Sequence, residues 1–279
     1  MPEHSNPLGH TSAYPTTVDP QVLFPIARGE ARRVLGVDQA ALPFHGADIW
    51  NAWELSWLDA RGKPCIAVAE LWVPCNSPKL VESKSLKLYL NGYAMTRFED
   101  SHAVRTRIAA DVSACVGADV EIRLVEPADF ARLRAIALAG ESLDEQPLMV
   151  SDYAGPAPAH LRVHTGPRGR VVEEALVTRL FRSRCPVTGQ PDWASVQIRY
   201  RGEPIDRAGL LRYLVSYREH PDFHEACVER IFVDVQQRCA PIELMVCARF
   251  LRRGGIDINP WRATPRFTAT PANLRTTRQ

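Results

Sequence analysis

Cys185 and Asp192 bracket the most unusual stretch of this 279-residue chain, Ser183-Arg184-Cys185-Pro186-Val187-Thr188-Gly189-Gln190-Pro191-Asp192-Trp193. Two prolines and a glycine force a turn between two strands, and a turn of that length returns Asp192 toward Cys185. A buried small residue next to a self-capping turn aspartate would satisfy the same text. Read as chemistry, the pair is a thiol and a carboxylate in one pocket. The sulfur attacks only as thiolate, which nearby cations or backbone N–H groups favour; Arg182 and Arg184 are the candidate cations, with plain exposure to water as the other reading of both.

Three further stretches carry reactive or ligand-binding types. Glu82-Ser83-Lys84-Ser85-Leu86-Lys87 precedes a helical pattern: Glu82 could accept hydrogen bonds from a ligand, while Lys84 and the Ser83 hydroxyl could meet an anion such as phosphate. Phe223-His224-Glu225 opens another helix, with Asp222 as a candidate N-cap. There Phe223, Cys227 and Ile231 form the core stripe and turn His224 and Glu225 away from it, where a carboxylate can grip the adjacent N–H donors of a guanine-like edge. Arg252-Arg253-Gly254-Gly255 follows a strand; the glycines let backbone approach a ligand and the arginines can bind phosphate in bidentate fashion. No two glycines are spaced G-x-G, so neither a Rossmann fingerprint nor a P-loop is present. No H-E-x-x-H occurs and the eight histidines are scattered, which gives metal catalysis little support.

The elements that must hold these groups follow from periodicity. Residues 47–58 and 65–73 read as a strand pair, 82–93 and 103–115 as helices, and 120–124 as a closing strand. After a Gly- and Pro-rich stretch at 141–170 the order returns, with strands near 171–183 and 194–201, helices near 206–218 and 222–238, and a strand at 242–250. Leu86-x-x-Tyr89-Leu90-x-x-Tyr93 is matched by Leu210-x-x-Tyr213-Leu214-x-x-Tyr217, so the halves read as a duplication. The expected organisation is an α+β fold: an arm over 1–45, a module over 46–140, a connection over 141–170, a second module over 171–265 and a tail over 266–279. Strands first and helices next bury the helices on one face of an antiparallel sheet, leaving the other for solvent or a partner module.

Hydrophobic residues at 46% and charged residues at 24% describe a folded globular chain and exclude disorder for most of it. Thirty-four basic against 32 acidic residues leave +2, too little to hold nucleic acid or an anionic membrane through a global field. Seven cysteines without a C-x-x-C spacing read as reduced thiols of a cytoplasmic protein. The N-terminus lacks a basic-then-apolar leader, and no apolar run approaches the roughly 18 residues of a membrane helix.

Taken in order, ESKSLKLYLNGY (82–93), CPVTGQPDW (185–193), FHE (223–225) and RRGGIDINPWR (252–262) resemble the NADPH-dependent 7-cyano-7-deazaguanine reductases, nitrile reductases of queuosine biosynthesis, in their long duplicated form. The resemblance implies two tandem tunnelling-fold modules and a homodimer, with a 7-deazapurine substrate and no direct contact to nucleic acid or membrane. It implies Cys185 as the nucleophile that gives a thioimide and Asp192 as the proton shuttle. Val81, Glu82, Ser83, His224 and Glu225 would line the deazapurine site, and Ser83, Lys84, Arg253 and Gly254 would contact NADPH. Because the first module has ESKS and the second has Cys185, Asp192 and His224-Glu225, the expected site is shared between modules, one per chain. A nitrilase-like cysteine hydrolase, a metal-dependent cyclohydrolase of the same fold and a non-catalytic purine-binding module remain the alternatives at this level.

Overall fold

The computed structural model describes residues 14–164 and 170–279; the first part of the expected arm and residues 165–169 of the expected connection lie outside them. The chain is mixed α+β and divides into two compact units. Unit 1 holds residues up to 41, 47–134 and 252–258, and unit 2 holds 42–46, 135–251 and 259–279. Among the described residues no helix is long and apolar enough to cross a membrane.

Unit 1 contains β1 (Pro25–Ala27), α1 (Gly29–Val34), most of β2 (His45–Leu58), β3 (Pro64–Pro74), β4 (Lys79–Val81), α2 (Ser83–Asn91), α3 (Ser101–Val116) and β5 (Glu121–Val125). Its sheet pairs β2 with β3 and β3 with β5, all antiparallel. The α3 helix follows from its sequence: Val104, Ile108, Val112 and Val116 recur every fourth residue and are fully buried, Asp100 caps the start by accepting the Ala103 N–H, and Gly117 ends it in the left-handed region at φ 75°. Those side chains join Trp50, Trp57, Tyr89 and Tyr93 in one core.

Unit 2 contains β6 (Glu141–Ser142), β7 (Val172–Arg184), β8 (Pro191–Gly202), α4 (Arg207–Ser216), α5 (His224–Cys239), β9 (Glu243–Phe250) and the end of β10 (Ile256–Ala263). The strands run in the order β10, β9, β8, β7, β6, with β6 alone parallel to its neighbour.

The structure divides the chain differently from the sequence reading in four places. Arm residues 14–41 are folded into unit 1: β1 pairs with β4, and Leu23 enters the core, because the apolar residues Leu23 and Ile26 give this short stretch something to bury. The connection contributes β6 to unit 2, and Leu143 and Leu161 are buried there. Arg252–Ile258 belong to unit 1, and the stretch read as a basic turn continues into β10, whose eight residues are all buried. The tail lies against the sheet of unit 2. Arg249 donates to Asn273 Oδ1 and Ala272 O, and Gln279 Nε2 donates to Phe250 O and Asn259 Oδ1. Arg249 and Phe250 alternate across β9, so Arg249 meets the tail on the side opposite to Phe250 and that face is not bare.

Candidate functional site

The β7–β8 hairpin builds the centre of the site. A register shift between Thr178 and Phe181 bulges β7, and beyond it Ser183 stands opposite Asp192 and Arg184 opposite Pro191. Cys185 follows at the mouth of the turn, two residues after Ser183 and therefore on the Asp192 side of the sheet. The turn closes with the Cys185 N–H donating to Gln190 O at 2.8 Å and the Gly189 N–H donating to Cys185 O at 3.0 Å. Gly189 sits at φ 68°, a conformation that spares glycine the Cβ penalty. The turn also brings the Thr188 N–H to 3.5 Å from the Cys185 sulfur. Cys185 is 4% and Asp192 1% exposed, so both are taken out of bulk water.

The two arginines expected to polarise Cys185 have another partner. Arg182 donates to Glu219 and to Arg218 O, and Arg184 lies 3.1 Å from Glu219. They alternate with Ser183 and Cys185 along the strand and so project to the opposite face. The Thr188 amide in the turn is a contact that can stabilise a thiolate.

The start of α5 brings His224 to Asp192. Phe223, not Asp222, is the N-cap, and the Asp222 carboxylate instead accepts the Phe223 N–H at 2.9 Å. His224 Nε2 lies 3.3 Å from Asp192 Oδ2, and the imidazole stacks flat on Phe250 with ring centroids 3.8 Å apart. His224 and Glu225 are buried at 8% and 4%, so neither is the outward-facing residue that the core stripe implied. The first turn of a helix docked on the sheet has both its sides covered. Beneath them, burial pushes the Cys227 thiol far up, with Asp222 and Asp192 adding to the effect. Burial likewise raises the Cys115 and Cys239 thiols to about 11. These sulfurs are held as thiols.

In unit 1, β4 runs directly through Glu82 into α2, which places Val81, Glu82, Ser83 and Lys84 in sequence at the helix start. Glu82 is 1% exposed and caps the helix: its carboxylate accepts the Lys84 and Ser85 N–H groups, each at 2.7 Å, and the Ser83 hydroxyl at 3.3 Å. The amides that an anion would use are thus taken by Glu82. That leaves side chains, and the remaining lone pairs of Glu82, as the groups open to a ligand here. Ser83 and Lys84 are half-buried, and Val81 is buried. The Arg253–Ile256 turn carries Gly254 and Gly255 at φ 57° and 81°. The Lys87 stem lies 3.3 Å from where a Cβ on Gly254 would stand. The turn, Lys87, Asn91, Glu54 and Ser56 border a groove of about 240 Å³ in this unit.

Thr188 and Phe250 were not singled out from sequence. A backbone donor leaves no mark on residue type, and Phe250 reads only as the apolar end of a strand.

Comparison with known proteins supplies the affiliation. A sequence-family profile described as "Nitrile reductase, 7-cyano-7-deazaguanine-reductase N-term" matches residues 14–124, and one described as "QueF-like protein" matches residues 191–268. The NADPH-dependent 7-cyano-7-deazaguanine reductase of Stenotrophomonas maltophilia is 56% identical over 98% of this chain and 97% of its own length. The Bordetella avium protein of the same name is 53% identical over all of both chains. A solved structure described as the archaeosine synthase QueF-Like in the apo form covers 36% of this chain and 96% of its own at 18% identity, with a TM-score of 0.30, too low to bear on the fold. The chain belongs to the NADPH-dependent 7-cyano-7-deazaguanine reductase family.

Proposed function

We propose that the chain reduces the nitrile of 7-cyano-7-deazaguanine to the aminomethyl group of 7-aminomethyl-7-deazaguanine, consuming two NADPH, as a step toward queuosine in tRNA. Family membership supports the reaction. The observation that carries the roles is the turn, where a sulfur accepts a backbone N–H on the strand face that also bears the buried Asp192–His224 pair.

In this reading the Cys185 sulfur adds to the nitrile carbon, one C≡N electron pair moves to nitrogen, and a proton held at Asp192 follows it, giving a thioimide. The Thr188 N–H stabilises the sulfur while it carries charge. His224 Nε2 keeps the Asp192 carboxylate oriented, and burial of both excludes water that would hydrolyse the adduct. NADPH, when bound, supplies a hydride to the substrate carbon at each of two visits. Between them the sulfur leaves with its bonding pair as the nitrogen lone pair forms an imine, which restores Cys185. Val81, Glu82, Ser83, His224 and Glu225 are the proposed deazapurine residues. Ser83, Lys84, Arg253 and Gly254 are the proposed NADPH residues. The paired left-handed glycines beneath the Lys87 stem fit that role, since a Cβ at 254 would crowd it.

We further infer that the units are tandem copies of one tunnelling-fold module. Both hairpins bulge at matching places, Ala52/Leu55 and Thr178/Phe181. Both make the same parallel bridge, Leu58 to Arg97 and Arg184 to Pro221. Each unit buries a Tyr–Tyr–Asp chain: Tyr89 with Tyr93 and Asp111 at 2.6 and 2.8 Å, and Tyr213 with Tyr217 and Asp234 at 2.7 and 2.6 Å.

The test is a purified chain given the cyano substrate. Two NADPH consumed per aminomethyl product, and a Cys185 mass adduct without NADPH, are expected. Amide or acid formed without NADPH would mean a hydrolase, and substrate binding without turnover would mean a binding module.

A further inference from the structure

We propose that Phe250 is a positioning residue for this site: its ring face fixes the plane of His224, so that one imidazole nitrogen stays on Asp192 and the other is presented to the substrate. The proposal rests on the reading of Asp192 and His224 given above.

The two rings are parallel, at an interplanar angle of 0° and a centroid separation of 3.8 Å. Edge-on or offset arrangements are the usual choice of packed aromatic rings, and Phe250 adopts the edge-on one toward Phe181, at 6.0 Å and 88°. The flat stack is reserved for His224. Rotation of an imidazole about its bond to the β-carbon changes where both nitrogens point, and hydrogen bonds weaken steeply as their angle departs from linearity. A flat neighbour blocks that rotation. Asp192 alone would hold one nitrogen at 3.3 Å and leave the tilt of the ring open. Nδ1 is buried and has no hydrogen-bond partner among the described residues, so the ring keeps a polar atom for a ligand.

Phe250 is itself held from several sides. It pairs with Ala194 in the β8–β9 ladder, two residues from Asp192 and on the same face. The next residue, Leu251, donates its N–H to Trp193 O at 2.8 Å. The Phe250 carbonyl accepts the Gln279 amide at 2.9 Å, which ties the tail to the strand that carries the ring. Phe250 is fully buried, so its ring has little freedom to follow a rotating imidazole.

A double-mutant cycle separates positioning from packing. NADPH consumption with the cyano substrate is measured for wild type, Phe250→Leu, His224→Asn and the double variant, each with a thermal melt. Phe250→Leu is expected to lower kcat/KM about tenfold, and the loss is expected to vanish in the His224→Asn background. Phe181→Leu, which removes the neighbouring ring that faces Phe250 edge-on, is expected to lower the melting temperature while its effect on kcat/KM stays equal in both backgrounds. If Phe250→Leu does not fold, Phe250→Met takes its place in the cycle. Wild-type turnover in Phe250→Leu overturns the proposal, as does a loss that persists in full beside His224→Asn. If His224→Asn itself turns over like wild type, the reading of the site falls with it.

Discussion

The β2–β3 and β7–β8 hairpins bulge at matching places and end in a left-handed glycine turn, Gly62 in one and Gly189 in the other. They differ in what the turn holds. The first residue after β2 is Asp59, whose carboxylate accepts the N–H groups of Arg61 and Lys63 at 2.8 and 2.9 Å. The first residue after β7 is Cys185, whose sulfur accepts the N–H of Thr188. On the returning strand, Cys65 stands opposite Trp57 where Asp192 stands opposite Ser183. At the second helix after each hairpin, Ser101 begins α3 where His224 begins α5. Unit 1 thus shows what the turn does with an authentic anion: the Lys63 and Arg61 amides hold the Asp59 carboxyl below the usual carboxylate range. The same backbone in unit 2 offers an amide to sulfur. The Tyr–Tyr–Asp chains, by contrast, occur in both units, which marks them as parts of the fold and not of the chemistry.

The sharpest break between the hairpins is expected at their sulfurs. Cys185→Ala should lower NADPH consumption by about 10⁴-fold and abolish the mass adduct, whereas Cys65→Ala should stay within about twofold of wild type. Equal losses would remove the asymmetry on which the site rests. Next comes Asp192→Asn, expected to cost about 10²-fold or more in kcat as the proton donor is lost, with folding preserved in the thermal melt.

A smaller contrast lies in the turn glycines. A Cβ on Gly62 would lie 3.0 Å from Arg97 Nη2 and one on Gly189 would lie 3.0 Å from Arg184 Nη2, both at flexible side-chain ends. Gly62→Ala and Gly189→Ala should therefore each cost about 1 kcal/mol of stability, chiefly for the left-handed backbone. Only Gly189→Ala should also slow turnover, several-fold, and slow alkylation of Cys185 by iodoacetamide.

The smallest effect concerns acid. Because the folded carboxyl of Asp59 titrates below its ordinary value of 3.8, its contribution is complete above that value and is lost as the pH falls through the folded one. The difference in melting temperature between wild type and Asp59→Asn should accordingly be present at neutral pH and shrink toward zero in strong acid.

Much of this was legible in the chain. The four-residue spacing of Val104, Ile108, Val112 and Val116 announces α3, and the Pro-Gly-Pro text announces the β7–β8 turn, because both are local consequences of backbone geometry. His224 was legible as a residue and misread in its surroundings: the helical stripe that faces the core assigns it outward, yet the helix start is covered from a second side. For Arg182 and Arg184 the sequence left two readings, service to Cys185 or a place away from it. Proximity in sequence suggested that they serve Cys185, while alternation along the strand sends them to Glu219. Glu82, read from the sequence as a ligand-binding carboxylate, also caps its own helix, a second role that residue type alone does not announce.

Residue type and spacing determined the two long hairpins, the four long helices and which side chains were available for reaction, since turns, caps and amphipathic stripes depend on neighbours within a few residues. Tertiary structure alone decided that β8, β9 and the start of α5 bring Asp192, Phe250 and His224 into contact, and that the tail closes against β9. Those contacts join residues tens of positions apart, and their geometry is set by strand register and helix docking, which no local pattern encodes.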